Sequence, residues 1–309
     1  MEYSGIGKKV AVIVTVVVLI ALGVAIFNLD NFFEDPWSGD DGTGANTIVV
    51  DGVSYNPKSL SSYVITFSAD EGKTTDTVLL LTFDHSADSY TILHVNRDTK
   101  AVLSAHSNVG ERLDNVSGRV CEAFSYGDGA HISARSVLST VSDLLCGLPI
   151  DNYLCMDISA LSHILDMTEG VKVTLDESAV IGTPFAAGEE FTVDGESVEA
   201  YLAPHDGTAH GSKSFAARQK VFLEALFGTL EHTSPEGEAI SALYEKILKA
   251  DVVTNCGFNS FTSIFDCIRD YSFDGVRALS GDYGDGAEFI VDDAQLKTLI
   301  TTVYYNEIK

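Results

Sequence analysis

Basic residues are scarce in this 309-residue chain: 19 Lys and Arg stand against 45 Asp and Glu, for a formal net charge of −26. A protein that holds nucleic acid through a broad basic surface is thereby excluded, because such binding neutralises phosphates with lysine and arginine. Charged residues of all kinds make up only 21%, while hydrophobic residues reach 45%. A disordered acidic tail protein is excluded in turn, since it lacks the apolar residues to build a core. No C-x-x-C occurs, so zinc ribbons and thioredoxin chemistry have no support. There is no G-x-S-x-G and no P-loop, which removes the nucleophile elbow and the Walker-type phosphate cradle. Repeats and low-complexity tracts are also absent.

What the chain does have begins with an apolar run. Val10 to Phe27 is unbroken, with Thr15 its only polar member. As a helix it is about 27 Å long, close to the roughly 30 Å of a bilayer's hydrocarbon core. Lys8 and Lys9 precede it, and Asp30, Glu34 and Asp35 follow. The positive-inside rule puts residues 1–9 in the cytoplasm and the remainder outside the cell membrane, in an envelope of Gram-positive type. Phe32, Phe33 and Trp37 stand where an interfacial aromatic belt belongs. A cleaved signal peptide has a shorter apolar region, of roughly 7–15 residues. Gly23-Val24-Ala25, its best cleavage site here, lies inside the run. The expectation is a retained single-pass anchor at 10–27, followed by a segment at 28–46. Glu34–Asn46 reads EDPWSGDDGTGAN, a linker or stalk composition. Residues 47–309 then form one extracellular domain, and nearly all of the negative charge lies in it.

Within that domain the patterning alternates. Asp51-Gly52 predicts a hairpin turn between Thr47–Val50 and Ser54–Tyr55. Strands are predicted at Tyr63–Phe67, Thr77–Phe83 (TVLLLTF), Tyr90–Val95, Tyr153–Ile158 and Val171–Leu175. The continuous apolar run TVLLLTF is that of a strand covered on both faces. Helices are predicted at His131–Leu145, Ser159–Met167, Ala216–Leu230, Ala239–Leu248, Ser260–Ile268 and Asp292–Tyr304. This interleaving argues for an α/β sandwich with a mixed sheet.

Five cysteines would sit outside the cell, where disulfides persist. Cys256 and Cys267, if joined by a helix, lie roughly 16 Å apart, beyond the roughly 4.4–6.8 Å that a bridge spans. Cys146 and Cys155 flank a short helix-to-strand connection and are the better pair. Five buried, unpaired thiols, Cys121 included, are the equal alternative.

Three clusters carry candidate chemistry. Residues 68–77 read SADEGKTTDT, with Asp70 and Asp76 on a polar loop. One or two carboxylates with water and phosphate oxygens are what Mg²⁺ takes. Asn96-Arg97-Asp98-Thr99 follows an apolar strand directly. Arginine offers a planar fork for phosphate, and aspartate can serve as a general base. Arg218-Gln219 lies near the predicted start of a helix, where an anion site forms readily. Each cluster also has a plain structural reading, as an acidic turn, a surface ion pair and a solvated first turn. His205 and His210 lie five apart in a Gly-rich loop, but no third zinc ligand is specified. Gly127-Asp128-Gly129 reads as a helix-entry turn.

Taken together, these segments resemble the LytR-CpsA-Psr family of membrane-anchored cell-wall phosphotransferases. The marks are Thr75-Asp76-Thr77 before TVLLLTF, and His94-Val95-Asn96-Arg97-Asp98-Thr99. Then come FSYGDG (Phe124–Gly129), GLPIDNYLCMD (Gly147–Asp157), EGVKVTL (Glu169–Leu175) and Ala217-Arg218-Gln219. Each is weak alone, and their order and spacing over the whole domain make the resemblance specific. It implies an α-β-α sandwich holding a polyisoprenyl pyrophosphate, with its lipid in an apolar tunnel. It implies transfer of a teichoic-acid- or capsule-type glycopolymer onto peptidoglycan. It assigns Asp70 and Asp76 to Mg²⁺, Arg97 to pyrophosphate with a part in catalysis, and Asp98 to the role of base. Arg218 and Gln219 are assigned to the pyrophosphate. Several of the family's arginines are missing: Thr74 and Thr75, Phe215, and Ala203-Pro204-His205 stand in their places. Each lost charge-assisted contact costs roughly 1.5–3 kcal/mol. Lys213, His205 and His210 are the nearby compensators. Two readings follow: an active transferase, or a degenerate member that binds or regulates without catalysing.

Overall fold

The computed structural model describes residues 47–68, 74–113, 116–202, 208–284 and 286–308. The chain divides into two units, Met1–Gly44 and Ala45–Lys309, and the described residues belong to the second. The expected anchor at 10–27 and the stalk lie outside the described residues, as do Asp70 and His205. Among the described residues no helix is long and apolar enough to cross a membrane.

β1 (Ile48–Val50) and β2 (Val53–Pro57) pair antiparallel around Asp51-Gly52. Both turn residues have positive φ, 50° and 83°, which a tight two-residue hairpin requires. β3 (Ser61–Ser68), β4 (Thr77–Asp84) and β5 (Ser89–Val95) follow as an antiparallel meander. β6 (Lys100–Val102) pairs with β7 (Ser117–Arg119) and leads into the 3-10 turn Val120–Ser125. α1 (His131–Leu144), β8 (Asn152–Asp157) and α2 (Ile158–Met167) come next. A hairpin of β9 (Val171–Thr174) and β10 (Glu190–Val193) precedes the single turn α3 (Val198–Tyr201). α4 (Ala209–Thr233), α5 (Glu238–Ile247), β11 (Val252–Thr254), α6 (Phe258–Asp270) and β12 (Ser272–Ala278) then complete the sheet and its cover. The chain closes with β13 (Gly281–Tyr283), β14 (Phe289–Val291), α7 (Asp293–Val303) and β15 (Tyr305–Glu307), which joins β2.

The central sheet has the order β11-β8-β3-β4-β5-β12. It is mixed: β8 with β3 and β5 with β12 run parallel, the other pairs antiparallel. Its strands are buried on both faces by the alternation of side chains. Tyr63, Ile65, Phe67, Leu79 and Leu81 point to one core, with α2, α4, α5 and α6. Val64, Val78, Leu80, Leu93 and Val95 point to the other, with α1, α7 and the 3-10 turn. The fold is thus mixed α/β with helices on both sheet faces.

Two expectations need correction. The helix predicted at Ala216–Leu230 starts at Ala209, where the Thr208 hydroxyl accepts from the Gly211 amide. Arg218 is therefore well inside the helix and has no role at its N-terminus. Gly211, Ser212 and Ser214 are poor helix formers, but all three are buried, and packing overrides propensity. The expected Cys146–Cys155 bridge does not form, and all five thiols are free. Cys155 is buried within β8, whereas Cys146 is exposed just past α1, in a left-handed conformation with φ 61°.

Candidate functional site

β3, β5, β8 and β12 end at the same edge of the sheet at which β4 begins. In open α/β sheets the crevice beyond the carboxyl ends of strands is where ligands settle. Asp76 and Arg97 lie there because antiparallel pairing sets the start of β4 beside the end of β5, with Val78 opposite Val95. Arg97 Nη1 donates to Asp76 Oδ1, and both side chains are largely buried. Burial works against the charge on Arg97, but Cys121 and Asp76 beside it outweigh burial and raise its pKa. Its buried Nε–H has no acceptor among the described residues.

Backbone bonds fix this corner. The Asp76 amide donates to Phe67 O (2.8 Å), the Thr75 amide to Cys121 O (3.1 Å) and the Cys121 amide to Arg97 O (2.9 Å). From α4, Gln219 Nε2 donates to both Asp76 O and Thr77 Oγ1, each at 2.7 Å. Its Oε1 must then accept from His94 Nε2 at 2.9 Å. His94 thus carries a proton on Nε2, and burial, which pushes its pKa down to about 4, keeps the ring neutral at neutral pH.

Asp98, three residues past β5, is 1% exposed. Its Oδ1 accepts from Arg119 Nη1 at 3.2 Å, and Arg119 also holds Glu122 at 2.9 Å. Arg119 thus holds one oxygen of the Asp98 carboxylate. Arg119 escaped the sequence reading because it stands in a short strand 21 residues from its partner, outside any motif.

Arg218 and Gln219 diverge, as adjacent residues on a helix do. Arg218 is 3% exposed. It donates to the carbonyls of Tyr201 (2.8 Å) and Ala179 (3.2 Å) and lies over the rings of Tyr201 and Phe215. Burial lowers its pKa. The described site thus joins Asp76, Arg97 and Gln219, and a separate ion pair joins Asp98 and Arg119.

A cleft on one flank, of about 170 Å³, is lined by Asn96, Lys213, Lys220 and Tyr283 among others. Lys213 is the compensating cation that the sequence pointed to. Among the described residues no three His, Cys, Asp or Glu side chains converge as a metal site. This holds for His210 as for Asp76. Asp128 behaves as the expected helix-entry turn, with its carboxylate accepting from the amides of Ala130, Ile132 and Ser133.

A mixed sheet layered with helices, with a carboxylate, a guanidinium and an amide converging at its carboxyl edge, defines an α/β protein with an edge ligand site. The chain matches the LytR_cpsA_psr family over residues 34–302 and belongs to that family. Among solved structures it is similar to TagV of B. subtilis, at 20% identity and a TM-score of 0.58, over 79% of this chain and 96% of that one. It is similar to TagT bound to LI-WTA, at 18% identity and 0.58, over 78% and 88%. It is also similar to EF0465 of Enterococcus faecalis, described as a transcriptional regulator, at 18% and 0.59, over 79% and 85%. At these identities the likeness is one of fold. No curated protein matches the sequence.

Proposed function

We propose that this chain is a membrane-anchored, extracellular phosphotransferase of the cell envelope. It moves a polyisoprenyl-pyrophosphate-linked anionic glycopolymer onto peptidoglycan. Family membership supports the reaction class, and TagT has been seen bound to LI-WTA and to LIIa-WTA. The observation that carries the reading is the buried Nε–H of Arg97, a charged donor with no acceptor among the described residues. Leaving such a group unmatched is costly, and a phosphate oxygen would satisfy it with a charge-assisted bond.

Asp76 is a hard-oxygen donor of the kind Mg²⁺ takes, and with Asp70 it would hold that ion. The ion would add positive charge at the substrate's pyrophosphate, where the leaving polyisoprenyl phosphate develops negative charge. Arg97 binds and orients the phosphoryl group. Gln219 keeps the Asp76 backbone in place through its two bonds. Arg218 joins the anion by exchanging its carbonyl partners for phosphate oxygens. An acceptor hydroxyl attacks phosphorus, the bond to polyisoprenyl phosphate breaks, and the hydroxyl proton passes to Asp98. The test is to incubate the full chain with a short-chain polyisoprenyl-pyrophosphate saccharide and peptidoglycan. Polyisoprenyl phosphate release that chelator stops is the expected result.

The second reading, a binding or regulatory protein without turnover, is favoured by one observation. The three acid–base and cationic groups are all engaged within the protein: Arg97 by Asp76, Asp98 by Arg119, Arg218 by carbonyls. Tight binding of the lipid-linked saccharide with no release would select it.

A further inference from the structure

A second cavity opens on the opposite flank of the Asp76–Arg97 pair. It measures about 320 Å³, within the range of small-molecule sites. Thr66, Ser68, Thr75, Phe124, Asp157 and Asp251 are among its walls. Thr66 and Ser68 project from the sheet face that carries Val64, the face of α1, and Phe124 and Cys155 belong to that same core. Met156 and Val252 of the opposite core also line it, so the cavity lies at the end of the sheet, mainly toward the α1 face.

Its chemistry is specific in what it offers. Three hydroxyls line it. Thr75 is 2% exposed, and its buried Oγ1 has no hydrogen-bond partner among the described residues. A buried hydroxyl left unmatched destabilises the free protein, so its retention points to a ligand. Asp157 spends Oδ1 on the amides of Ser159 and Ala160 and the Ser159 hydroxyl, capping α2. Its other oxygen and the carboxylate of Asp251 are acceptors at the rim. Phe124 adds an aromatic surface. Among the described residues none lining the cavity is basic, which disfavours a phosphate or any anionic group. Hydroxyls, carboxylate acceptors and an aromatic ring together suit a neutral polyol.

We propose that this cavity is a saccharide subsite for a neutral, unphosphorylated sugar. Its role as the seat of the acceptor glycan rests on the transferase reading, whereas the ligand class is read from the walls alone. Thr75 links the two, because it faces the cavity while the next residue, Asp76, meets Arg97.

The test uses the full-length chain in detergent, with chitotetraose as probe and inorganic pyrophosphate as control, read by calorimetry. Saturable chitotetraose binding is expected. Thr75→Val should weaken it about 3- to 10-fold, the loss of one neutral hydrogen bond, and Asp251→Asn about 10- to 100-fold. Without sugar, Thr75→Val should melt no lower than the native chain, and as much as about 2–4 °C higher, since it removes an unmatched polar atom. That gain separates a ligand-directed hydroxyl from a structural one. No saturable binding in the millimolar range, equal affinity in both variants, or displacement of chitotetraose by pyrophosphate overturns the proposal. Chitotetraose binding without lipid-phosphate release would leave the subsite standing and defeat the transferase reading. Release without chitotetraose binding would do the reverse.

Discussion

On one face of the central sheet, Ile65, Phe67, Leu79 and Leu81 meet Ile164, Leu226 and Phe265 around a cavity of about 50 Å³. Every residue lining it is apolar. On the other face, Thr66, Ser68 and Thr75 line a polar cavity of about 320 Å³. The two are made by the same strands: Ile65 and Phe67 look one way, Thr66 and Ser68 the other, because side chains alternate along a strand. The sheet is thus a partition, with the Asp76–Arg97 pair at its edge. The apolar cavity is the smaller of the two, about 50 Å³ against about 320 Å³. One face offers a wholly apolar lining suited to hydrocarbon, and the other a lining rich in hydroxyls and carboxylates.

The largest way to break this contrast is at the edge itself. Arg97→Met would remove the guanidinium partner of the buried Asp76 carboxylate, at a cost of about 3–5 kcal/mol. Urea unfolding measures it, and a loss under about 1 kcal/mol would mean that Asp76 is not held as a buried anion. Next comes the apolar face. Leu226→Ala removes a side chain that is 2% exposed and should cost about 2–5 kcal/mol through transfer and cavity terms. The enlarged void should take up farnesyl phosphate more tightly than the native chain. Unchanged affinity would show that this face is core only.

The network joining edge and apolar face can be probed by acid. The His94 pKa is about 4 in the folded chain and roughly 6.5 when unfolded. Between those values the unfolded state binds the extra proton. The stabilising contribution is complete above pH 6.5 and is lost as pH falls to 4, by up to about 3 kcal/mol. Urea midpoints from pH 7 to 4, with NMR of the His94 ring, check this. A ring that titrates near 6.5 would contradict the neutral, Gln219-bound form.

How much of this was readable beforehand depends on range. Thr77–Phe83 reads as a buried strand because both its faces are apolar, and Asp51-Gly52 reads as a hairpin because the turn is local. Arg97 and Gln219 stand out in the sequence as members of short polar clusters, and the family resemblance adds their roles. Their actual contacts, to Asp76 and to Thr77 and His94, join residues far apart in sequence. Arg119 was invisible because nothing within several residues of it marks a site. Arg218 was misplaced because Gly211, Ser212 and Ser214 conceal two helical turns whose stability comes from burial. The polar cavity could not be foreseen either. Thr66 reads as an ordinary strand residue and Ser68 as the start of a polar loop until β8, the 3-10 turn and Asp251 are assembled around them.

The smallest test separates the two faces by loosening only the polar one. Asp128 accepts from the amides of Ala130 (2.8 Å), Ile132 (3.1 Å) and Ser133 (3.3 Å) at the start of α1. Partial burial works against its ionisation, but those amides outweigh burial and hold its pKa below the usual carboxylate value. Asp128→Ala should cost about 1 kcal/mol, as losses of helix-start caps do, and Asp128→Asn much less. A carboxylate with a depressed pKa stabilises above the ordinary value and loses that contribution as pH falls through the folded one. The native chain's advantage over the alanine variant should therefore be full at neutral pH and shrink below about pH 3.8, the ordinary value. Because Gly129 lines the polar cavity, Asp128→Ala should weaken chitotetraose binding while farnesyl phosphate binding at the apolar face stays unchanged. If both ligands weaken together, the faces are coupled through the sheet, and the partition is not a boundary between independent sites.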